Sequence, residues 1–213
     1  MIPLIVLIII ILCVYGVFIF NFFLNWILIL KIKIKESKAW EIYSKVNYII
    51  WFASVVLIPI LSSSFLGFES YFKEFWIWFL ILGFIFIGLA IRLEIELKKF
   101  KNEFEDNSYI IINKGIYRII RHPSLTKWFL FFMGLSFLFD SYIALFSIPL
   151  FLLLFYLQAR FLEKYVFFRK FGKKKYQKYK KKTPHLLIPN PYNALIILIA
   201  IFVVYVGILN FFL

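Results

Sequence analysis

Residues that could cross-link the chain or hold a metal are scarce in this sequence. Its 213 residues include one cysteine and two histidines. Cys13 has no second thiol to pair with, which excludes an internal disulfide framework. A structural zinc site needs four cysteine or histidine ligands at short spacing, and the chain cannot supply them. We therefore expect no metal centre.

Acidic residues and nucleotide-binding glycine motifs are also lacking. Lys and Arg outnumber Asp and Glu by 25 to 11, and no Gly-x-Gly-x-x-Gly motif of a soluble nucleotide-binding fold occurs. By contrast, 63% of the residues are hydrophobic, against roughly 45–50% in soluble domains. The mean hydropathy of +0.89 agrees with this excess. Such a composition is typical of a multi-span membrane protein with a basic face.

Long apolar runs predict an all-α integral membrane bundle of about six transmembrane segments. The first run exceeds the apolar region of a cleavable signal peptide and lacks a basic leader, so we expect a retained span. Within it, Asn21 and Asn25 are four residues apart and should face another helix and not lipid. The six predicted runs are 3–30, 48–66, 75–91, 128–139, 143–157 and 194–213.

Basic residues are sorted to one side of these runs. The loops 31–47, 92–127 and 158–193 contain 24 of the 25 basic residues, and Lys73 is the exception. The positive-inside rule therefore predicts that these loops are internal and that both termini are external. Because the charge lies beside apolar spans, we interpret it as a topology signal and expect no nucleic-acid partner.

Residues 164–182 interleave lysine and arginine with aromatic side chains. This pattern predicts a basic helix with aromatic contacts that lies on an anionic leaflet. Calmodulin-type or nucleic-acid binding fits the same composition, but the adjacent spans favour membrane contact. The aromatic residues are Tyr165, Phe167, Phe168, Phe171, Tyr176 and Tyr179.

The most specific stretch of the sequence is Asn-Lys-Gly-Ile-Tyr-Arg-Ile-Ile-Arg-His-Pro-Ser at 113–124. Gly115 predicts a bend, and Pro123 suits the first turn of the helix that follows. The amides of that helix start, with Arg121 and His122, form a candidate site for an anionic group at the membrane surface. The alternative is a basic flank that is capped by proline.

Two ordered motifs carry a family resemblance. Gly-x-Tyr-x-x-x-Arg-His-Pro-Ser at 115–124 is followed by an apolar hairpin, Glu163, and Phe-Gly-x3-Tyr-x2-Tyr-x4-Pro at 171–184. This order resembles the isoprenylcysteine carboxyl methyltransferase family, whose broader group of membrane methyltransferases includes phospholipid N-methyltransferases. The resemblance extends over roughly residues 92–189. It implies three N-terminal transmembrane helices in 1–91, a methyltransferase core in 92–193 with the hairpin and basic interfacial segment, and a C-terminal transmembrane helix in 194–213.

The resemblance also implies a cytosolic-side pocket for the cofactor S-adenosyl-L-methionine. The strip 109–112 corresponds to the backbone that binds the adenosine part, and Tyr117 would offer its ring to the sulfonium or else serve as an interfacial tyrosine. Glu163 would bind the cofactor's amino group or ribose hydroxyls, because an acid at the end of an apolar helix needs a partner. The implied cofactor residues are Asn102, Tyr109, Ile110, Ile111, Ile112, Tyr117, His122, Pro123, Ser124, Leu125 and Glu163.

Arg160 is the implied catalytic residue, because the family binds the acceptor carboxylate with an arginine in this region. A guanidinium fork suits a carboxylate. Arg160 also precedes Glu163 by three residues, so a salt bridge between them is the alternative. The sequence departs from the family pattern at Leu125, where an aromatic residue is common, at Lys127, where glycine is common, and at Lys164, where a second glutamate is frequent.

The expected activity is S-adenosylmethionine-dependent carboxyl O-methylation of a lipid-like acceptor in a multi-pass protein of the cell membrane or the endoplasmic reticulum. A prenylated cysteine, free or in a peptide, is the leading acceptor. A carboxylate is ionised near neutral pH, so its methylation needs positioning more than acid or base. N-methylation of a phospholipid amine and a non-catalytic membrane scaffold or carrier are the alternatives. Membrane lipids are expected partners in each case.

Overall fold

The computed structural model describes residues 4–31, 38–63, 66, 72, 75–100 and 111–212, which are mostly helical and contain no strand. This confirms the all-α prediction. In chain order the helices are α1 (Leu4–Lys31), α2 (Lys38–Leu61), α3 (Trp76–Lys99), the single turn α4 (Ile116–Ile119), α5 (Pro123–Leu138), α6 (Tyr142–Phe146), α7 (Ile148–Phe161), a π-helical segment (Leu162–Phe167), α8 (Phe168–Phe171), α9 (Lys173–Lys182) and α10 (Tyr192–Phe212).

Within the described part of the chain, three helices are long and apolar enough to cross a membrane: Ile8–Ile27 in α1, Trp76–Lys99 in α3 and Tyr192–Leu209 in α10. The apolar helical stretches Lys45–Leu61 and Pro123–Leu138 are shorter than a typical span. An all-helical membrane protein is therefore confirmed. The count of six spans and the orientation of the termini stay predictions.

The predicted span 143–157 is interrupted, so this expectation was wrong in detail. α6 ends at Phe146, and α7 begins at Ile148 with Pro149 in its first turn. Proline lacks a backbone N–H, which is tolerated in the first turn of a helix but not in its interior. From Ile148 the chain stays helical as far as Phe171, and α5 already begins at Pro123. The hairpin thus extends beyond the apolar runs 128–139 and 143–157 on both sides.

Helices α3 and α5 pack closely because each presents a glycine to the other. A Cβ atom at Gly83 would lie 2.9 Å from the carbonyl oxygen of Gly134 and 2.9 Å from the amide nitrogen of Leu138. A Cβ atom at Gly134 would lie 2.6 Å from Cγ1 of Ile87. Small residues at such positions allow two helix backbones to approach each other. This contact fixes α5, whose first turn carries part of the site described below.

Polar side chains join α1 to its neighbours inside the bundle. Asn21 and Asn25 are buried, as predicted, and Nδ2 of Asn21 donates to Oδ1 of Asn47 in α2 at 2.6 Å. Nε1 of Trp26 donates to Oε1 of Gln158 in α7 at 2.6 Å. The Trp26 ring also stacks on Phe161, with 4.7 Å between the ring centroids. α1 is thereby attached to the end of α7, directly before the π-helical segment.

Candidate active site

The start of α5 is attached to the segment that follows α9. The amide of Arg121 donates to the carbonyl of His185 at 3.0 Å, and the amide of His122 donates to the carbonyl of Leu186 at 3.1 Å. Oγ1 of Thr126, one turn into α5, donates to the carbonyl of Leu187 at 2.5 Å. The two segments are far apart in the chain, and these bonds hold them side by side.

Arg121 extends this connection with its side chain. Its Nη1 atom donates to the carbonyls of Thr183 and Pro184, each at 3.0 Å. Its Nε atom lies 2.7 Å from Oε1 of Glu163, and the arginine residue is only 8% exposed. The anionic group expected beside Arg121 is therefore supplied by the protein itself, in the carboxylate of Glu163.

Glu163 lies in the π-helical segment and is 2% exposed. Besides Arg121, Nζ of Lys180 lies 2.8 Å from Oε2, and the Tyr176 hydroxyl donates to Oε1 at 3.3 Å. Burial alone would raise the pKa of Glu163. The nearby imidazole of His122, the hydrogen bond from Lys180 and the charge of Arg121 together outweigh burial and lower this pKa to about 2. Glu163 is therefore ionised at neutral pH.

His122 is 5% exposed, and its ring stacks on Phe167 with 5.5 Å between centroids. Its Nε2 atom lies 3.6 Å from Oε1 of Glu163 and has no hydrogen-bond partner among the described residues. Burial lowers the pKa of His122, and the charges of Arg121 and Lys180 act in the same direction against the opposing effect of Glu163. A neutral imidazole with an unpartnered nitrogen thus lies beside the carboxylate.

Tyr117 occupies the turn before this cluster and is half-buried. The bend at Gly115, predicted from the sequence, has φ +50, and a Cβ atom there would lie 2.6 Å from Cζ of Phe100. The Tyr179 hydroxyl donates to the Tyr117 carbonyl at 2.8 Å. Burial raises the pKa of the Tyr117 and Tyr179 hydroxyls to about 12, so both stay protonated.

The structure brings only some of the implied cofactor residues together. Glu163, His122 and Tyr117 lie around the start of α5, where Pro123 forms the buried first turn, as predicted. Ile112 is buried and Ile111 half-buried in a segment without regular structure, while Leu125 packs against the core and Ser124 is exposed. Three implied residues, Asn102, Tyr109 and Ile110, lie outside the described part of the chain.

Arg160 is separate from this cluster. It is exposed, and its Nε and Nη2 atoms donate to the Tyr156 hydroxyl at 3.0 and 2.8 Å. Both side chains are described, and no salt bridge joins Arg160 to Glu163. The π-helical segment begins at Leu162, between the two residues, so the three-residue spacing no longer places them on one face as in an α-helix.

Sequence reasoning assigned no role to Tyr176 and Lys180, although both contact the Glu163 carboxylate. The signal was their spacing, because residues four apart on a helix share a face. Lys180 was one of many lysines in a basic run, and composition alone does not distinguish the one that turns inward.

The two lysines that depart from the family pattern contact neighbouring side chains. Nζ of Lys127 pairs with Oε2 of Glu94 at 2.7 Å, and Lys164 is exposed beside the Tyr165 ring.

Two apolar cavities of about 760 and 750 Å³ flank α10. The first lies beside α3 and α5, and its wall includes Gly115, Ile120 and Thr126 from the site region. The second lies beside α7 and the segment 184–190, and its wall includes Tyr156, the partner of Arg160. Ile188 and Ile196 line both. Such volumes suit a ligand of small-molecule or acyl-chain size.

The described residues thus form a helical protein of the membrane type, in which a buried charged cluster lies at the end of an apolar helical hairpin with apolar cavities beside it. Residues 77–174 match the family model described as "Phospholipid methyltransferase", which is part of the membrane methyltransferase group. The matched range contains Arg121, His122 and Glu163 and ends before Tyr176. The match indicates a membrane methyltransferase. It does not single out the isoprenylcysteine branch. No curated protein and no solved structure matches the chain.

Proposed function

We propose that the protein is an integral membrane methyltransferase that transfers a methyl group from S-adenosyl-L-methionine to a lipid-like acceptor. The observation that carries this proposal is the buried, ionised Glu163 beside the unpartnered Nε2 of His122, within the segment that matches the methyltransferase family. The apolar cavities beside the same segment support a lipid-like acceptor.

The groups in the cluster fit the chemistry of this cofactor. S-adenosyl-L-methionine presents an ammonium, a carboxylate, ribose hydroxyls and a sulfonium. The Glu163 carboxylate would hold the ammonium or the ribose, and His122 Nε2 would reach a polar group of the cofactor. The Tyr117 ring would face the sulfonium. When bound, the cofactor supplies an electrophilic methyl group.

The residues of the chain have distinct tasks in this proposal. Glu163, with a pKa of about 2, stays charged through the physiological range and therefore binds and orients without moving a proton. Arg121 fixes the Glu163 carboxylate and ties it to the segment after α9. Orientation of this kind is a large part of the rate enhancement for a displacement between two bound groups.

The first candidate acceptor is the carboxylate of a prenylated cysteine, which the two sequence motifs imply. Arg160 would bind that carboxylate. In support, Arg160 bonds to Tyr156, and Tyr156 lines the apolar cavity beside α7, where a prenyl chain would fit. The carboxylate is ionised at neutral pH and needs no base.

A phospholipid amine is the second candidate acceptor, and the family match favours it. An amine must lose its proton before it can attack a methyl group. His122 is the member of the cluster whose ordinary pKa lies near neutrality, and burial keeps it neutral. In this version His122 would accept the proton, and Arg160 would have no carboxylate to bind.

Methyl incorporation distinguishes the candidates. The full chain, reconstituted in lipid vesicles with radiolabelled S-adenosyl-L-methionine, would be offered a farnesylcysteine analogue or phosphatidylethanolamine. Label in the ester identifies a carboxyl methyltransferase, and label in the amine identifies a phospholipid methyltransferase. Failure to bind S-adenosylhomocysteine, together with no incorporation into either acceptor, would overturn the proposal in favour of a membrane scaffold.

A further inference from the structure

Helix α9 has two faces of opposite character. Tyr176 and Tyr179 are buried on one face, and their hydroxyls donate to Glu163 and to the Tyr117 carbonyl. At about 100° per residue, five exposed lysines fall within a sector of about 120° on the opposite face. We call this sector the basic face, and it consists of Lys174, Lys175, Lys178, Lys181 and Lys182.

Four of the five lysines of the basic face belong to none of the ion pairs found among the described residues. Glu163 is the only acidic residue after Asp140 in the sequence, and it is buried and paired. Among the described residues, no ion pair involves Lys174, Lys178, Lys181 or Lys182. The exposed cations Arg169 and Lys170 extend the basic region towards the π-helical segment.

The position of α9 in the chain decides between possible anionic partners. α9 ends at Lys182, and the apolar helix α10 begins at Tyr192, so the short connection keeps the basic face near the membrane surface. The buried tyrosines fix the rotation of α9 about its axis. Because the leaflet lies next to the helix, its headgroups are present at a high effective concentration at the basic face. A polyanion free in solution does not have this advantage.

We propose that the basic face of α9 is a docking surface for the anionic phospholipid headgroups of the membrane in which the protein resides. Each lysine within a Debye length of an anionic leaflet adds to the attraction. The long lysine side chains can reach the headgroups while the tyrosine face stays packed on the protein. This proposal does not depend on methyl transfer.

The test measures the water accessibility of α9 in two lipids. The full chain with Cys13→Ser and Gln177→Cys would carry a nitroxide at the exposed position 177, in nanodiscs of phosphatidylcholine alone or with phosphatidylglycerol. In the anionic nanodiscs we expect accessibility to a water-soluble nickel quencher to fall by about threefold at low salt, because headgroup attraction brings the helix to the surface. At about 1 M salt, where the Debye length is about 3 Å, accessibility should recover.

Two charge variants complete the test. Changing the five lysines of the basic face to glutamine should abolish the lipid response, whereas changing them to arginine preserves the charge and should retain it. The salt titration uses the labelled chain with its five lysines intact, so its result is informative even if a charge variant does not fold. Equal accessibility in the two lipids would overturn the proposal. Stronger protection by polyuridylate in neutral nanodiscs than by the anionic lipid would overturn it in favour of nucleic-acid binding.

Discussion

The guanidinium of Arg121 and the carboxylate of Glu163 form a buried ion pair, with 2.7 Å between Nε and Oε1. One partner lies immediately before α5, and the other lies in the π-helical segment after α7. A buried charge needs a partner and hydrogen bonds to offset its lost hydration. Arg121 has further partners in the carbonyls of Thr183 and Pro184. The pair thus joins three segments of the chain around the candidate site.

Arg121→Gln should destabilise the folded protein by about 3–5 kcal/mol, because it leaves the Glu163 carboxylate without its nearest buried cation. Arg118→Gln is the matched control, since Arg118 is exposed in the single turn α4. Exposed substitutions of this kind usually change stability by less than about 0.5 kcal/mol. Denaturant unfolding in a mild detergent would compare the two. Equal losses of unfolding free energy in the two variants would show that the buried ion pair contributes no more to stability than the exposed Arg118.

Acidification should remove stability that Glu163 provides. Its folded-state pKa of about 2 lies below the unfolded value of about 4.3, so its contribution is present above the unfolded pKa. The contribution is lost as the pH falls through the folded pKa. We expect the stability difference between the wild-type chain and Glu163→Gln to shrink as the pH falls from about 5 towards 2. Unfolding midpoints across this range would measure it, and a constant difference would contradict the assignment.

Cofactor binding should also depend on the Glu163 charge. Glu163→Gln keeps the shape of the side chain but removes a charge-assisted hydrogen bond, which is worth about 1.5–3 kcal/mol. Binding of S-adenosylhomocysteine, measured by calorimetry, should weaken by about 10- to 150-fold. Glu94→Gln makes the same charge change at a residue paired with Lys127, away from the cluster, and should leave the affinity near that of the wild type. Unchanged binding in the Glu163 variant would rule out this role.

Arg160→Lys distinguishes the two acceptor classes. If the acceptor is a carboxylate, lysine retains the charge but loses the planar two-point contact, so methyl transfer should fall much more than cofactor binding. If the acceptor is an amine, the same change should be nearly silent. The measurements are the turnover of a farnesylcysteine analogue and the affinity for S-adenosylhomocysteine. A wild-type rate in this variant would exclude the carboxylate contact.

Gly83→Ala should destabilise the bundle, since its Cβ atom would lie 2.9 Å from two backbone atoms of α5. Overpacking of this kind costs about 1–3 kcal/mol. Gly88→Ala is the control on the same helix, because nothing lies within 4 Å of a Cβ atom there. Alanine at that position should be neutral or stabilising by up to about 1 kcal/mol. Thermal unfolding of both variants would test the contact, which would be refuted if they behaved alike.

Local signals in the sequence predicted a large part of this architecture. The long apolar runs predicted the helices, Gly115 predicted a bend that has φ +50, and Pro123 predicted the helix start. The two asparagines predicted a buried polar face on α1. In each case the structural feature depends on the residue itself or on its immediate neighbours in the chain. It can therefore be predicted without knowledge of the tertiary structure.

Features that depend on distant segments were not predictable in the same way. The sequence indicated that Glu163 needs a partner, but only the folded chain brings Arg121 and Lys180 to its carboxylate. The separation of Arg160 from Glu163 was also missed, because a π-helical segment uses the same residue types as an α-helix. The break at Ser147 was missed for a different reason, because its local signal, Pro149, lies within the apolar run 143–157.

The π-helical segment at Leu162–Phe167 has a consequence for the length of this region. Downstream of it, α9 presents Tyr176 and Lys180 to Glu163 at one particular rotation about the helix axis. Removal of one residue here would rotate the residues that follow by about 100°, which would move the side chains of Tyr176 and Lys180 away from the Glu163 carboxylate. An insertion or deletion between Phe161 and Lys173 would therefore change the rotation of α9 about its axis. We expect this rotation to disturb the site more than the loss or gain of the individual side chain.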